Sequence, residues 1–154
     1  MDWMTLPLRR YAEFSGRSRR KEYWMFALLM TIVYAIGGVL MFSGFAAIMA
    51  AGSSGAPDPA AYSNLPVTFW IGAVILGLFT LAILVPGLAV TVRRLHDRDL
   101  SGWWYLGVAI GGQIPFLGPL ISLGFLVLMC LPGTSGPNRF GNDPKDPLNT
   151  EVFA

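Results

Sequence analysis

The residues with the most chemical capacity stand together at Arg93–Trp104, RRLHDRDLSGWW, which holds three arginines, two aspartates and the chain's single histidine ahead of a tryptophan pair. On a continued helix, Arg93 and Asp97 are four apart and can pair, while His96 stands three residues before Asp99. A histidine beside a carboxylate is the minimum equipment for proton transfer. The same residues also make a stop-transfer cluster of local salt bridges, with the histidine hydrogen-bonded at a membrane edge. That simpler reading ranks first, an anion or lipid-headgroup site second, and catalysis last.

Two further stretches carry charge. Gly16–Trp24, GRSRRKEYW, offers forked guanidinium groups that suit phosphate. Within it Arg20 can lie over Trp24 as a cation–π contact, and Arg19 can reach Glu22. Asn138–Asp143, NRFGND, reads as a turn from which Arg139 could meet Asp97, or Asp143 an arginine of the first two stretches. The candidate anion or headgroup contacts are therefore Arg17, Arg20, Arg93, Arg94, His96, Asp97 and Arg139. No catalytic residues, cofactor or metal are expected. One cysteine and one histidine cannot build a disulfide or the usual three- or four-ligand zinc site. Cys130 lies in an apolar run and reads as a small buried hydrophobe. Phosphate-loop, zinc-protease and serine-hydrolase patterns are missing from the sequence.

Whatever positions these groups is hydrophobic. Of 154 residues, 54% are hydrophobic and 13% charged, with a mean hydropathy of +0.55. Soluble domains carry about 25% charge, so the membrane class leads. A net charge of +2 does not point to nucleic acid. Charge is absent from Tyr23 through Pro57 and again across Val67–Val92, which predicts transmembrane helices at about 23–49 and 67–92. The first is too long for the apolar core of a signal peptide. Pro86 and Gly87 predict a kink in the second. Ala73 and Gly77 make one small-residue pair there, and Gly107 and Gly111 another further on, either of which would serve a homo-oligomer.

Met1–Glu22 holds six of the eleven basic residues, the Gly52–Pro66 loop holds none, and Arg93–Ser101 holds three. The positive-inside rule then puts the N-terminus in the cytoplasm and the Gly52–Pro66 loop, with Asp58, outside. Residues 3–15 combine Trp3, Leu6, Tyr11 and Phe14 with arginines, as a short interfacial helix would. Residues 103–131 form an uncharged run interrupted at GGQIPFLGP, Gly111–Pro119. This is either one long kinked span or a re-entrant hairpin, and the central position of the break favours the hairpin. Residues 145–154 are a polar tail beyond a single membrane domain at 1–144. The expected fold class is an all-α multi-pass membrane protein with two full transmembrane helices, a Pro/Gly-broken third hydrophobic segment and a short interfacial N-terminal helix.

FSGRSRRKEYW at Phe14–Trp24, RRLHDRDLSGWW at Arg93–Trp104 and GTSGPNRFGNDP at Gly133–Pro144 occur in that order between apolar runs. Together they resemble the bacterial inner-membrane proteins grouped as domain of unknown function 805, over nearly the whole chain. The resemblance implies a small multi-pass inner-membrane protein, with Gly52–Pro66 as a variable region, and brings no catalytic residues with it. The expectation is a non-enzymatic binding or interaction module in the lipid bilayer, with anionic lipid headgroups or a protein partner at its basic face. An oligomeric transporter or channel subunit is the alternative, and an enzyme acting on a lipid phosphate is a weaker one.

Overall fold

A computed structural model describes residues 3–52 and 65–146. The tip of the predicted Gly52–Pro66 loop and the end of the polar tail lie outside the described residues. Helices are α1 (Leu6–Arg9), α2 (Arg20–Gly52), α3 (Val67–Asp97), α4 (Trp103–Gly111) and α5 (Leu117–Cys130). Among the described residues, α2 and α3 are long and apolar enough to cross a membrane, with mean hydropathies of 2.3 and 2.5 over their most apolar windows. Only 11% and 22% of those windows is buried inside the protein. Their hydrophobic surface therefore faces outward, unlike the core helix of a soluble protein.

The chain divides into two compact units. The second unit, Leu28–Ile83, is a pairing of α2 with α3. Where both helices face hydrocarbon, association relies on close packing and interhelical hydrogen bonds. Tyr34 bonds Thr80 at 3.0 Å, and Ser43 bonds Thr68 at 3.1 Å. A Cβ at Gly44 would come within 2.7 Å of the Phe69 side chain, whereas one at Gly38 would meet nothing within 4 Å. Gly44→Ala is therefore expected to cost about 1–3 kcal/mol through overpacking, which outweighs the gain of up to about 1 kcal/mol in helix propensity. Gly38→Ala should be neutral or mildly stabilising. Equal SDS-denaturation midpoints for the two variants would refute this assignment of the interface.

The first unit takes the described residues of Met1–Ala27 and Leu84–Ala154. Here the N-terminal region departs from expectation. Helix α1 covers four residues rather than 3–15, because Pro7 starts it and Arg10 already leaves helical geometry at ψ 50°. Trp3 instead lies near two cations, 5.9 Å from the Arg19 guanidinium and 5.4 Å from the Lys21 ammonium. Helix α3 runs through the buried Pro86 and on to Asp97, five residues past the predicted span. It stops in a left-handed turn at Asp99, φ 57°. There the amide of Asp99 bonds the His96 carbonyl and that of Leu100 the Leu95 carbonyl, the paired bonds of a Schellman ending.

The broken segment forms two helices of nine and fourteen residues. They pack on each other as an antiparallel pair. Tyr105 and Phe125 have ring centroids 6.0 Å apart, and a Cβ on Gly118 would overlap the Gly112 carbonyl. The turn between them forces Phe116 to a positive φ of 66° and leaves its ring 93% exposed.

Candidate functional site

The ends of α3 and α5 come together in the first unit, and both are C-terminal ends. A helix leaves its last carbonyls without intrahelical donors and carries negative partial charge there. Two such ends need cations and donors, and the three charged stretches supply them. Arg94 donates to the Met129 carbonyl at 3.2 and 3.3 Å and also to that of Leu131. Arg20 donates to the Cys130 carbonyl at 3.2 Å, and Arg98 to that of Pro132. On α3, the Arg93 carbonyl accepts from the Ser18 amide at 3.1 Å and the Asp97 carbonyl from the Thr134 amide at 2.8 Å. The His96 carbonyl accepts from Asn138 Nδ2 at 2.9 Å.

Charges beneath these bonds are buried. Asp97 is the hub. Its Oδ1 takes Arg17 Nε and Nη2, both at 3.0 Å, and its Oδ2 takes Arg94. Arg17 continues to the carbonyls of Thr134 at 2.5 Å and Gly136 at 2.6 Å, tying the third stretch to the first. Gly133 lies against the Asp97 carboxylate so closely that a Cβ there would overlap it. A second pair, Glu22 with Arg93 Nη1 at 2.9 Å, is equally buried, and the Arg93 side chain is 0% exposed. Its guanidinium nitrogens find no hydrogen-bond acceptor of good geometry. Around these charges Phe26, Val90, Leu95 and Met129 make a small apolar core.

These contacts correct six pairings expected from the sequence, and the expected burial of Cys130. Arg93 pairs with Glu22 on α2 rather than with Asp97, because α3's residue 94, not 93, faces Asp97. Glu22 is accordingly taken from Arg19, whose Nε donates to the Pro144 carbonyl. His96 is not beside a carboxylate. Its Nδ1 donates to the Gly16 carbonyl at 3.2 Å, and its ring stacks on Phe140 at 3.9 Å and 3°. Asp99 instead holds Arg139, whose Nε lies 3.1 Å from Oδ1, so Arg139 does not reach Asp97. Asp143 bonds the amides of Lys145 at 2.9 Å and Gly136 at 3.0 Å rather than an arginine side chain. Those amide bonds, that of Lys145 foremost, hold its carboxyl below the usual carboxylate range. Arg20 reaches a carbonyl in place of the Trp24 ring. Cys130 is exposed on the protein surface, not buried, since it lies on the outer side of the last turn of α5.

Of the seven candidate contacts, Arg17, Arg93, Arg94 and Asp97 are thus internal, while Arg20 and Arg139 remain exposed. His96 is half-buried. Gly133 and Thr134 are members that the sequence reading passed over, and Glu22 is one to which it gave the wrong partner. Glu22 had a signal: it is the one carboxylate in a cationic stretch at the start of a span. Among the described residues there is no cluster of histidine, cysteine and carboxylates able to hold a metal ion.

Two apolar spans with a charged cluster buried at their ends define a small helical membrane protein. The family of unknown function called DUF805 matches residues 11–142, and the chain belongs to it. The inner membrane protein YhaI of Escherichia coli K12 is 41% identical over 146 residues, covering 94% of this chain and 97% of YhaI. The inner membrane protein YhaH of the same organism is 37% identical over 145 residues, covering 94% and 98%. No solved structure matches. The chain is an inner-membrane protein with two candidate transmembrane helices, as its three-motif resemblance implied.

Proposed function

We propose that this chain is a non-catalytic membrane interaction module whose exposed cations Arg20 and Lys21 hold anionic lipid headgroups at the cytoplasmic edge. One observation carries the reading. Once the buried pairs are set aside, Arg20 and Lys21 remain side by side at the start of α2. With Trp24, Met25 and Cys130 they line a shallow groove of about 340 Å³. Cations beside an interfacial tryptophan suit a phosphate at headgroup level. The N-terminus is cytoplasmic because the cations cluster at this edge.

In the same reading α4 and α5 enter the bilayer as a re-entrant hairpin. Nine and fourteen residues measure roughly 14 and 21 Å, short of the roughly 30 Å hydrocarbon core. The end of the hairpin at Leu131 is bonded to Arg94, close to where the hairpin begins.

Each surface cation near anionic lipid is worth about 1 kcal/mol, so the double variant Arg20→Gln with Lys21→Gln should bind phosphatidic acid roughly tenfold or more weakly. Binding to phosphatidylcholine should not change. Native mass spectrometry of the detergent-purified protein measures both. A folded double variant with wild-type retention of phosphatidic acid would end this reading.

A further inference from the structure

A second groove, of about 590 Å³, lies in the first unit between the end of α3 and the start of α4. Its α3 wall is a single helical stripe, Leu88, Val92 and His96, at i, i+4 and i+8. Its other wall is Leu106 and Ala109 of α4, with Ser101 on the connecting turn. Along α3 the stripe extends roughly 12 Å. His96 and Ser101 lie at one end, where α3 terminates, Trp103 and Tyr105 belong to the first turn of α4, and Leu88, Val92, Leu106 and Ala109 supply the hydrocarbon of the rest. The size and the few convergent polar groups are those of a small-molecule site.

The polar end has a defined hydrogen-bonding character. A carbonyl oxygen can only accept, so the contact of His96 Nδ1 with the Gly16 carbonyl places the ring proton on Nδ1. In the neutral ring Nε2 is then an acceptor, and the stacked Phe140 fixes the ring plane. Ser101 Oγ accepts from the Trp103 amide at 3.4 Å, which leaves its hydroxyl proton to give. One acceptor and one donor at a groove end match a ligand hydroxyl, which is both donor and acceptor. The N-terminus of α4 adds positive partial charge beside them.

We infer that this groove binds one phospholipid with a hydroxylated head, phosphatidylglycerol. The head hydroxyl lies between His96 Nε2 and the Ser101 hydroxyl, and the phosphodiester lies near the start of α4. One acyl chain runs along Leu88, Val92, Leu106 and Ala109. The direction of the gradient selects this occupant. The polar end lies at the charged end of a transmembrane helix and the apolar end runs back along that helix, so a bilayer lipid is already at the matching depth and orientation.

This site differs from the one at Arg20 and Lys21 in position and in chemistry, so the two are separable. The experiment is native mass spectrometry of the detergent-purified chain with phosphatidylglycerol and with phosphatidylmethanol of the same acyl chains. The second lipid keeps the single negative charge and lacks head hydroxyls. Wild type is expected to retain one phosphatidylglycerol and to prefer it about tenfold. Ser101→Ala should reduce that preference toward unity. Ala109→Trp, at an exposed position, fills the apolar end and should reduce retention of both lipids at least fivefold. Arg20→Gln with Lys21→Gln should leave the preference intact. No preference in wild type, or wild-type behaviour of both Ser101→Ala and Ala109→Trp, would overturn the inference.

Discussion

Asp97→Ala is expected to destabilise the protein by about 3–5 kcal/mol, the usual cost of removing one partner from a buried ion pair. The carboxylate answers two guanidinium groups at once, Arg17 and Arg94, both buried. Without it two cations stay inside the protein, facing only the carbonyls of residues 129–136, which are dipoles and not charges. The closure of the third stretch depends on the same group, because Arg17 links it to the Thr134 and Gly136 carbonyls. Asp97→Asn keeps the shape and one acceptor but removes the charge, so it should fall between wild type and alanine. SDS-titration midpoints of the purified variants, read by tryptophan fluorescence, give the ordering. Midpoints that coincide for all three proteins would show that the hub contributes nothing to stability.

Glu22→Ala should be nearly as damaging, yet the pair it breaks should be replaceable. Arg93 has no other acceptor of good geometry, so deleting Glu22 strands a buried guanidinium, at a cost of about 3–5 kcal/mol. The pair, however, ties no loop in place and leaves its remaining N–H groups unsatisfied. Buried pairs of this kind are often replaced by hydrophobic residues at no cost or with gain. Glu22→Leu combined with Arg93→Met is therefore expected within about 1 kcal/mol of wild type, or above it. The same denaturation assay decides the matter. A double variant as unstable as Glu22→Ala would mean that the pair itself, and not merely its neutrality, is required.

The membrane-spanning helices were legible because apolar runs of that length have few other uses, and the hairpin because two prolines and three glycines fall at its centre. Residues 103–131 break where their composition says they must. The convergence of Arg17, Asp97 and the Gly133–Pro144 stretch was legible as a juxtaposition. The individual partners were not. Spacing rules choose partners on the same helix, so they gave Arg93 to Asp97 and Glu22 to Arg19. In the fold, Arg93 faces the first turn of α2, and Arg94, one residue on and so about 100° around the helix, faces Asp97. Partner choice at such a site is set by which elements pack together, and that information lies far along the chain. Carbonyl acceptors are a further blind spot. They belong to every residue, so no side-chain pattern marks Met129, Thr134 or Gly136 as the groups the arginines seek. The extent of α1 was missed for a related reason: its aromatic residues satisfy an amphipathic pattern, but Trp3 is taken up by Arg19 and Lys21.

The arginine bonds to the end of α5 also impose an order on biosynthesis. Arg94 is separated from its Met129 acceptor by 35 residues. At about 5–20 residues per second, roughly two to seven seconds of translation lie between them. Through that interval Arg94 has its neighbour Asp97 but none of the carbonyls that later enclose it. Most of the intervening chain is the hairpin. Its length therefore acts as a delay, leaving the charged end open until the arrival of residues 129–136 closes it.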